Sequence, residues 1–200
     1  MNIKISPGNT KLGAIPSVSL PAGLTCRKDC PCYNKCYARK LERLRKNVRE
    51  SYITNYRVLE SDPDTYWREV EASVMMSRFF RFHVSGDIPS VDYLVRMVGV
   101  AERNPHCEIL CFTKRYEFIN EFLRSDGFFP ANLHIILSAW RGLKMDNPYG
   151  LPEAHVLYRD GTTTASPNAK ICTGNCAECA RTDGGCWSLR KGEQVVFHEH

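Results

Sequence analysis

The placement of the cysteines constrains this chain more than any other feature of its sequence. Eight of the ten cysteines lie in two tight runs, with the spacings C-x3-C-x-C-x3-C and C-x3-C-x2-C-x6-C. Random placement rarely produces two such runs, so we interpret each as a metal site. The N-terminal quartet is Cys26, Cys30, Cys32 and Cys36, and the C-terminal quartet is Cys172, Cys176, Cys179 and Cys186.

The spacing within each quartet bears on which metal it binds. Structural zinc usually takes two C-x2-C pairs that are separated by a dozen or more residues. A single tight run wraps better around a cube of iron and sulfide, whose corners are spread apart. We therefore expect two 4Fe-4S clusters, one at each quartet, with zinc as the alternative at the C-terminal quartet.

The other two cysteines, Cys107 and Cys111, also have C-x3-C spacing but lie in an apolar run. In a strand that rises ~3.3 Å per residue they would stand about 13 Å apart, which is too far to share one small cluster. We expect both to be buried core residues.

Composition and charge exclude several classes of protein. The chain of 200 residues is 43% hydrophobic and 24% charged, as is usual for a globular protein. Its apolar stretches are too short to span a bilayer and it starts with no apolar leader, so we expect a cytoplasmic protein with no membrane partner. The formal charge of +5 would fit nucleic acid. Two thiolate-bound clusters would reduce it to about +1, so we expect no nucleic-acid partner.

Hydrophobic periodicity predicts alternating helices and strands along most of the chain. One helix is predicted from Tyr37 to about Ser61, and a second starts at Asp62 with Pro63 in its first position. Downstream, strands alternate with helices, which is typical of parallel βαβ units. The predicted strands cover residues 80–84, 108–112, 133–139 and 154–158, with one more near 15–20.

The length limits which α/β fold is accessible. A complete eight-fold barrel needs roughly 250 residues, so we expect a partial (βα) barrel or an open α/β sheet. Residues 1–165 are predicted to form this cluster-binding partial barrel. Residues 166–200 are predicted to be a cysteine-rich, loop-like extension that folds back over the barrel mouth and binds the second cluster. The functional face should lie at the carboxyl ends of the strands.

Polar side chains lie at the carboxyl ends of three predicted strands. Strands of parallel sheets are normally apolar on both faces, so a polar row is costly unless it lines a site. Taken alone, Asp87 or Ser90 can be a helix cap, and His83 or His134 a hydrogen-bonded core histidine. Together they predict a site formed by Arg81, His83, Ser85, Asp87, Thr113, Lys114, Arg115, His134, Ser138 and Trp140, with His83, Asp87, Lys114 and Ser138 as the catalytic candidates.

The predicted helix after Tyr37 carries a row of basic residues between Arg39 and Arg49. Such a row could hold phosphate, but Glu42 and Glu50 interrupt it and no aromatic residues interleave with the arginines. We expect a solvated outer face, opposite an apolar stripe.

Several short motifs, which occur in the same order, resemble a phage-encoded family called gene product eighty-eight. They are the segment from Leu24-Thr25-Cys26 to Cys36-Tyr37-Ala38, which follows NTKLGAIPS, and then RFHVSGD at 81–87, FTKR at 112–115, Cys186-Trp187 and a final FHEH. The resemblance covers most of the chain. It implies a phage protein in the host cytoplasm, where a host protein is a candidate partner.

A wider resemblance is to radical S-adenosylmethionine (radical SAM) proteins, which are partial barrels of about this length. It implies that Cys26, Cys32 and Cys36 hold a 4Fe-4S cluster whose open iron chelates the cofactor. Ser85-Gly86-Asp87 stands where those proteins have a GGE-like stretch that contacts the cofactor's ammonium group. The implied cofactor-binding residues are Ser85, Gly86, Asp87, Thr113 and Lys114, and the C-terminal quartet would hold an auxiliary cluster.

The N-terminal quartet departs from the C-x3-C-x2-C that radical SAM proteins usually have in this loop. That spacing occurs here at Cys172, Cys176 and Cys179, near the other end of the chain, and Cys30 is an extra thiol. If Cys30 is a ligand, the first cluster has four thiolates and no open iron, and cleavage of the cofactor is ruled out.

Three functions are therefore open from the sequence. The first is an iron–sulfur enzyme that uses S-adenosylmethionine, or another small molecule, in radical or redox chemistry. The second is a non-catalytic redox or regulatory iron–sulfur protein that acts on a host partner. The third is a zinc-stabilised binding module.

Overall fold

The computed structural model describes residues 2–182 and 184–199, and its strands form one parallel sheet. They are β1 (Ser17–Val18), β2 (Phe79–Phe82), β3 (Glu108–Thr113), β4 (Leu133–Ser138), β5 (Glu153–Leu157), β6 (Lys170–Ile171) and β7 (Gln194–His198). The order across the sheet is β1-β2-β3-β4-β5-β7-β6. The predicted α/β class with parallel strands is confirmed.

Helices connect most of these strands. They are α1 (Tyr37–Leu44), α2 (Lys46–Ser61), α3 (Pro63–Met75), α4 (Val91–Arg103), α5 (Tyr116–Arg124) and α6 (Cys176–Arg181), with 3-10 helices at Pro31–Lys35 and Gly185–Ser188. The predicted start at Asp62 is confirmed, because its side chain accepts a hydrogen bond from the Thr65 amide at 3.1 Å. Ser90, rather than Asp87, caps α4 in the same way. None of the described helices is both long and apolar enough to cross a membrane.

The single helix predicted from Tyr37 to about Ser61 is two helices in the structure. Arg45 has an extended backbone, with φ −124° and ψ 95°, and it separates α1 from α2. The predicted apolar stripe is not the buried side of α1: Leu41 and Leu44 are exposed, whereas Ala38 and Glu42 are buried. No proline or glycine marks the break in the sequence, so periodicity alone could not place it.

Each face of the sheet carries an apolar cluster, because successive strand residues point to opposite faces. Phe82 and Ile109 belong to the cluster that packs with α3, α4 and α5. Leu110 and Ile136 belong to the cluster on the opposite face, together with Trp187 from the C-terminal part of the chain.

Cys107 and Cys111 lie in the cluster beneath the helices, and both are completely buried. Cys111 belongs to β3, and Cys107 immediately precedes that strand. The prediction that they are core residues is confirmed.

The prediction of a loop-like C-terminal extension is wrong for the described residues. β6, α6 and β7 all lie after residue 166, and β7 pairs with the whole length of β5. The Trp187 ring packs 5.0 Å, centroid to centroid, from that of Phe79, which is the first residue of β2. A strand as short as β6 carries no alternation that sequence reasoning could detect. His200, the last residue of the FHEH motif, lies outside the described residues.

Candidate functional site

A cavity of about 850 Å³ opens at the carboxyl ends of the parallel strands. A separate groove of about 410 Å³ between α3 and α4 contains none of the predicted site residues. The structure places Arg115 and His134 outside the cavity, where His134 pairs with Glu108 at 2.6 Å. The cavity lining includes the whole N-terminal quartet together with Arg81, His83, Ser85, Gly86, Asp87, Thr113, Lys114, Ser138 and Trp140.

The N-terminal quartet sits in the connection between β1 and β2. Cys30 and Cys36 flank the 3-10 helix Pro31–Lys35, and Cys32 lies within it. The Sγ atoms of Cys30 and Cys32 are 2.9 Å apart, and Cys30 is only 3% exposed. The structure therefore brings the extra thiol, Cys30, directly against a predicted ligand.

The thiols of this quartet differ in their tendency to ionise. The hydrogen bond with Cys32 lowers the pKa of Cys30 to about 6 and raises the pKa of Cys32. Burial raises the pKa of Cys26 to about 11, and the positive charge of Lys114 acts against that increase. Because the thiolate is the form that binds metal, the Cys30–Cys32 pair supplies one ligand in its reactive form at neutral pH.

The segment Ser85-Gly86-Asp87 is held tightly against the start of the cysteine loop. The Ser85 hydroxyl donates to Glu42 at 2.7 Å, and the Asp87 amide donates to the Thr25 hydroxyl oxygen at 3.0 Å. Gly86 has a φ of 80°, and a Cβ there would lie 2.6 Å from the Leu20 carbonyl oxygen. The segment thus anchors the loop that carries the quartet.

Sequence reasoning misses Glu42 and Thr25 as parts of this anchor. The sequence places Glu42 on the solvated basic face of its helix, but in the structure it is 9% exposed and also accepts from the Ala22 amide at 2.9 Å. Thr25 is 3% exposed. The one signal in the sequence for Glu42 is that it is acidic within a row of basic residues, and the sequence carries no such signal for Thr25.

Asp87 joins the ends of β2 and β3. Its Oδ1 accepts from the Thr113 hydroxyl at 2.6 Å and from the Ile88 amide at 2.8 Å, and its Oδ2 accepts from the Lys114 amide at 2.9 Å. Burial raises the pKa of this carboxyl group, and the three hydrogen bonds act against that increase. Asp87 therefore holds two other predicted site residues, Thr113 and Lys114, in place.

We expect Asp87→Asn to destabilise the protein by about 1–2 kcal/mol, because Oδ1 keeps its two bonds while the amide group cannot accept from Lys114. Urea unfolding of the variant and wild type measures the difference. Asp126→Asn, on an exposed residue, is the control and should be close to neutral. Equal stability of all three proteins would contradict the role assigned to Asp87.

His83 has an unusual conformation for a residue at the end of a strand. Its φ is 59°, which places a non-glycine residue in the left-handed region. It is 4% exposed, its ring packs against Phe82 and Tyr93, and neither ring nitrogen has a hydrogen-bond partner among the described residues. Burial, with a contribution from Arg81, lowers its pKa to about 3, so the imidazole is neutral.

The C-terminal quartet lies in the connection between β6 and β7. Cys172 follows β6, Cys176 and Cys179 belong to α6, and Cys186 lies in the 3-10 helix. All four pack with the apolar cluster on the sheet face that the N-terminal residue Leu12 also covers. Burial raises the pKa of Cys186 to about 12, and the other three thiols add to the increase. The four thiols are thus close enough to act on one another.

A glycine maintains the close packing of this quartet. Gly185 has a φ of 60°, and a Cβ there would lie 2.6 Å from the Cys179 Sγ atom. The Gly174 amide also donates to the Cys172 Sγ atom at 3.3 Å. Within residues 2–182 and 184–199, no three or more His, Cys, Asp or Glu side chains are arranged to hold one metal ion.

The fold and the site together define a class of protein: a parallel α/β sheet with a cysteine-lined cavity at the carboxyl ends of its strands. The sequence model of the family described as Gene product 88 matches residues 2–187, and the chain belongs to that family. The resemblance that the sequence motifs indicate is confirmed at this level.

One relative in this family is the Gene 88 protein of Mycobacterium phage L5. It is 29% identical over 123 residues, which cover 54% of this chain and 51% of the relative. The chain thus spans about half the length of the curated relative that it matches. No solved structure matches the chain.

Proposed function

We propose that this phage protein is an iron–sulfur protein with a 4Fe-4S cluster at each cysteine quartet, and that its cavity binds S-adenosylmethionine for radical or redox chemistry. One observation carries the proposal. The N-terminal quartet and most of the polar residues predicted from three different strands line the same cavity. A cluster that reacts with a bound substrate needs thiolate ligands beside the substrate cavity. The carboxyl edge of a parallel sheet is where such a cavity normally lies.

The charges around the quartets support metal–thiolate groups. Lys114 and Arg27 act on the thiol of Cys30, and Lys114 acts also on Cys26 and Cys32. Bound metal keeps its thiols deprotonated, so each occupied quartet is a net negative group within the protein. Partly buried cations beside the N-terminal quartet offset that charge.

The residues present fit a small-molecule cofactor. The cavity volume of about 850 Å³ lies in the range of ligand sites, and His83, which lines it, has two ring nitrogens without partners among the described residues. When bound, the cluster and S-adenosylmethionine together supply a one-electron cleavage of the cofactor. Lys114 and Ser138 line the cavity and would orient the ligand, while Asp87 holds Lys114 and the cysteine loop in position.

One observation favours the second candidate function, a non-catalytic redox or regulatory iron–sulfur protein. The Cys30 sulfur lies 2.9 Å from that of Cys32 and is within the same cavity. Cys30 is thus well placed to act as a fourth ligand, which would leave no open iron for a cofactor. In that case the cluster would transfer electrons to a partner, such as a host protein, or sense redox conditions.

Metal analysis of anaerobically purified protein tests the proposal. Wild-type protein should be brown and contain about eight irons and matching sulfide per chain, and Cys32→Ser and Cys176→Ser should each lose about four. Cys107→Ala changes a core cysteine and is the control that keeps all of the iron. A colourless protein that retains only zinc would overturn the proposal in favour of a zinc-stabilised binding module.

Cys30→Ser separates the two iron–sulfur functions. If the first cluster has an open iron, the variant keeps its iron, and S-adenosylmethionine changes the paramagnetic resonance spectrum of the reduced protein. If Cys30 is the fourth ligand, the variant loses as much iron as Cys32→Ser, and the cofactor does not change the wild-type spectrum. The second result would establish the non-catalytic function.

A further inference from the structure

Several of the residues that line the cavity also border the C-terminal quartet. We call them the cavity floor, and they are Lys11, Arg81, Val84, Phe112 and Phe197. The three apolar members also pack with the cluster that contains the four C-terminal cysteines. The Cys176 amide donates to the Lys11 carbonyl oxygen at 2.9 Å, so the quartet lies directly beneath the floor.

Arg81 is the most unusual member of the floor. It lies in the interior of the sheet, with Ser17 of β1 on one side and Leu110 of β3 on the other. Its guanidinium group sits 4.9 Å from the centre of the Phe112 ring. Its Nε is buried without a hydrogen-bond partner, and no carboxylate of the described residues lies within ion-pair distance.

A partly buried cation without an anion is destabilising, so Arg81 calls for a negative partner. Arg81 shares a sheet face with Phe79, whose ring packs 5.0 Å from that of Trp187, the residue after Cys186. The Phe112 ring beneath its guanidinium group packs in the same cluster as the four thiols, and the charge of Arg81 acts on both Cys176 and Cys186. Lys11 acts on Cys176 as well. Four metal-bound thiolates form a net negative group.

We propose that Arg81 is the internal counter-cation of a metal–thiolate group at the C-terminal quartet. This inference rests on the proposed function, because it requires metal at that quartet, but it holds for either iron–sulfide or zinc. It gives Arg81 opposite effects in two states: the side chain costs stability in the metal-free protein and helps to retain metal in the loaded protein. Arg81 is a positioning residue and not a catalytic one.

An anionic group of a ligand in the cavity is the competing partner for Arg81. The packing argues against it: the guanidinium group of Arg81 lies over the Phe112 ring, which packs with the C-terminal thiols, and the Lys11 carbonyl oxygen accepts from the Cys176 amide. Lys114 and Arg27 lie instead on the cavity wall beside the N-terminal quartet. An anionic ligand in the cavity could therefore pair with the cations on the cavity wall. Arg81 would then pair with the metal–thiolate group at the C-terminal quartet.

The test compares Arg81→Met, which removes the charge, with Arg81→Lys, which keeps it. In reduced, metal-free protein, Arg81→Met should raise Tm by about 3 °C, and Arg81→Lys should leave it close to the wild-type value. In protein reconstituted with ferrous iron and sulfide, a chelator should remove metal from the C-terminal quartet of Arg81→Met about tenfold faster than from wild type. Arg81→Lys should retain most of the protection.

The amount of metal at the C-terminal quartet is measured as the difference in metal content between the parent protein and its Cys176→Ser variant. If wild-type protein binds no metal that Cys176→Ser lacks, whether it is supplied with iron and sulfide or with Zn²⁺ alone, the C-terminal metal site does not exist. That result would overturn this part of the proposed function as well. Wild-type and Arg81→Met proteins that release this metal equally fast overturn only the role of Arg81. Failure of metal-free Arg81→Met to fold also overturns it, because the charge would then be stabilising without metal.

Discussion

Replacing Gly86 with alanine is expected to destabilise the protein by about 4 kcal/mol. The added Cβ would lie 2.6 Å from the Leu20 carbonyl oxygen and 2.8 Å from the Thr25 hydroxyl oxygen. Backbone atoms cannot move aside cheaply, so this clash adds to the cost of a left-handed φ of 80°.

Gly161→Ala is the matched control for this experiment. Gly161 has the same φ of 80°, but a Cβ added there would meet no atom within 4 Å beyond its own chain neighbours. It should therefore show the conformational cost alone, about 1 kcal/mol. Unfolding in urea measures both variants. Equal losses of stability would show that Gly86 is not in close contact with Leu20 and Thr25.

His83 is expected to make the protein strongly sensitive to mild acid. The pKa of its ring is lowered by burial from 6.5 to about 3, so below pH 6.5 the unfolded chain takes up a proton that the folded protein excludes. The stabilising effect is complete above pH 6.5 and is lost as the pH falls towards 3. The unfolding free energy should fall by about 1.4 kcal/mol per pH unit in that range.

His83→Asn tests the assignment of this acid sensitivity. Asparagine tolerates the left-handed backbone and does not titrate, so this slope should disappear from the variant. The free energy of unfolding is measured in urea between pH 3 and pH 6.5 on reduced, metal-free protein. Under these conditions the ionisation of the thiols affects both proteins in the same way. His106→Asn, on an exposed histidine, is the control and should keep the wild-type slope. An unchanged slope in His83→Asn would show that another group is responsible.

The sequence predicts the central part of this fold well, for physical reasons. The strands at 79–82, 108–113 and 133–138 are apolar runs, and α4 and α5 lie between them, in line with the predicted alternation of strands and helices. Burial on both faces of a parallel sheet leaves a strong signal in such segments. The polar residues after these strands are detectable because they interrupt that signal.

Other features leave no local signal. β6 has two residues and finds its place only by pairing with β7, so no pattern within it predicts a strand. The break at Arg45 and the left-handed backbone of His83 involve residues that normally adopt other conformations. Glu42 resembles a surface residue in sequence, and its burial follows from contacts 20 and 43 residues away.

The insertion of β7 between β5 and β6 imposes an order of assembly on the C-terminal quartet. Among the described strands β6 pairs with β7 alone, so it joins the sheet only after residues 194–198 have docked on β5. The crossover that carries the quartet is an open loop until β6 and β7 pair, because the ends of a loop must meet before its contacts form. Metal bound at this quartet, as proposed above, would join cysteines that are spread along that crossover and would therefore favour its closure.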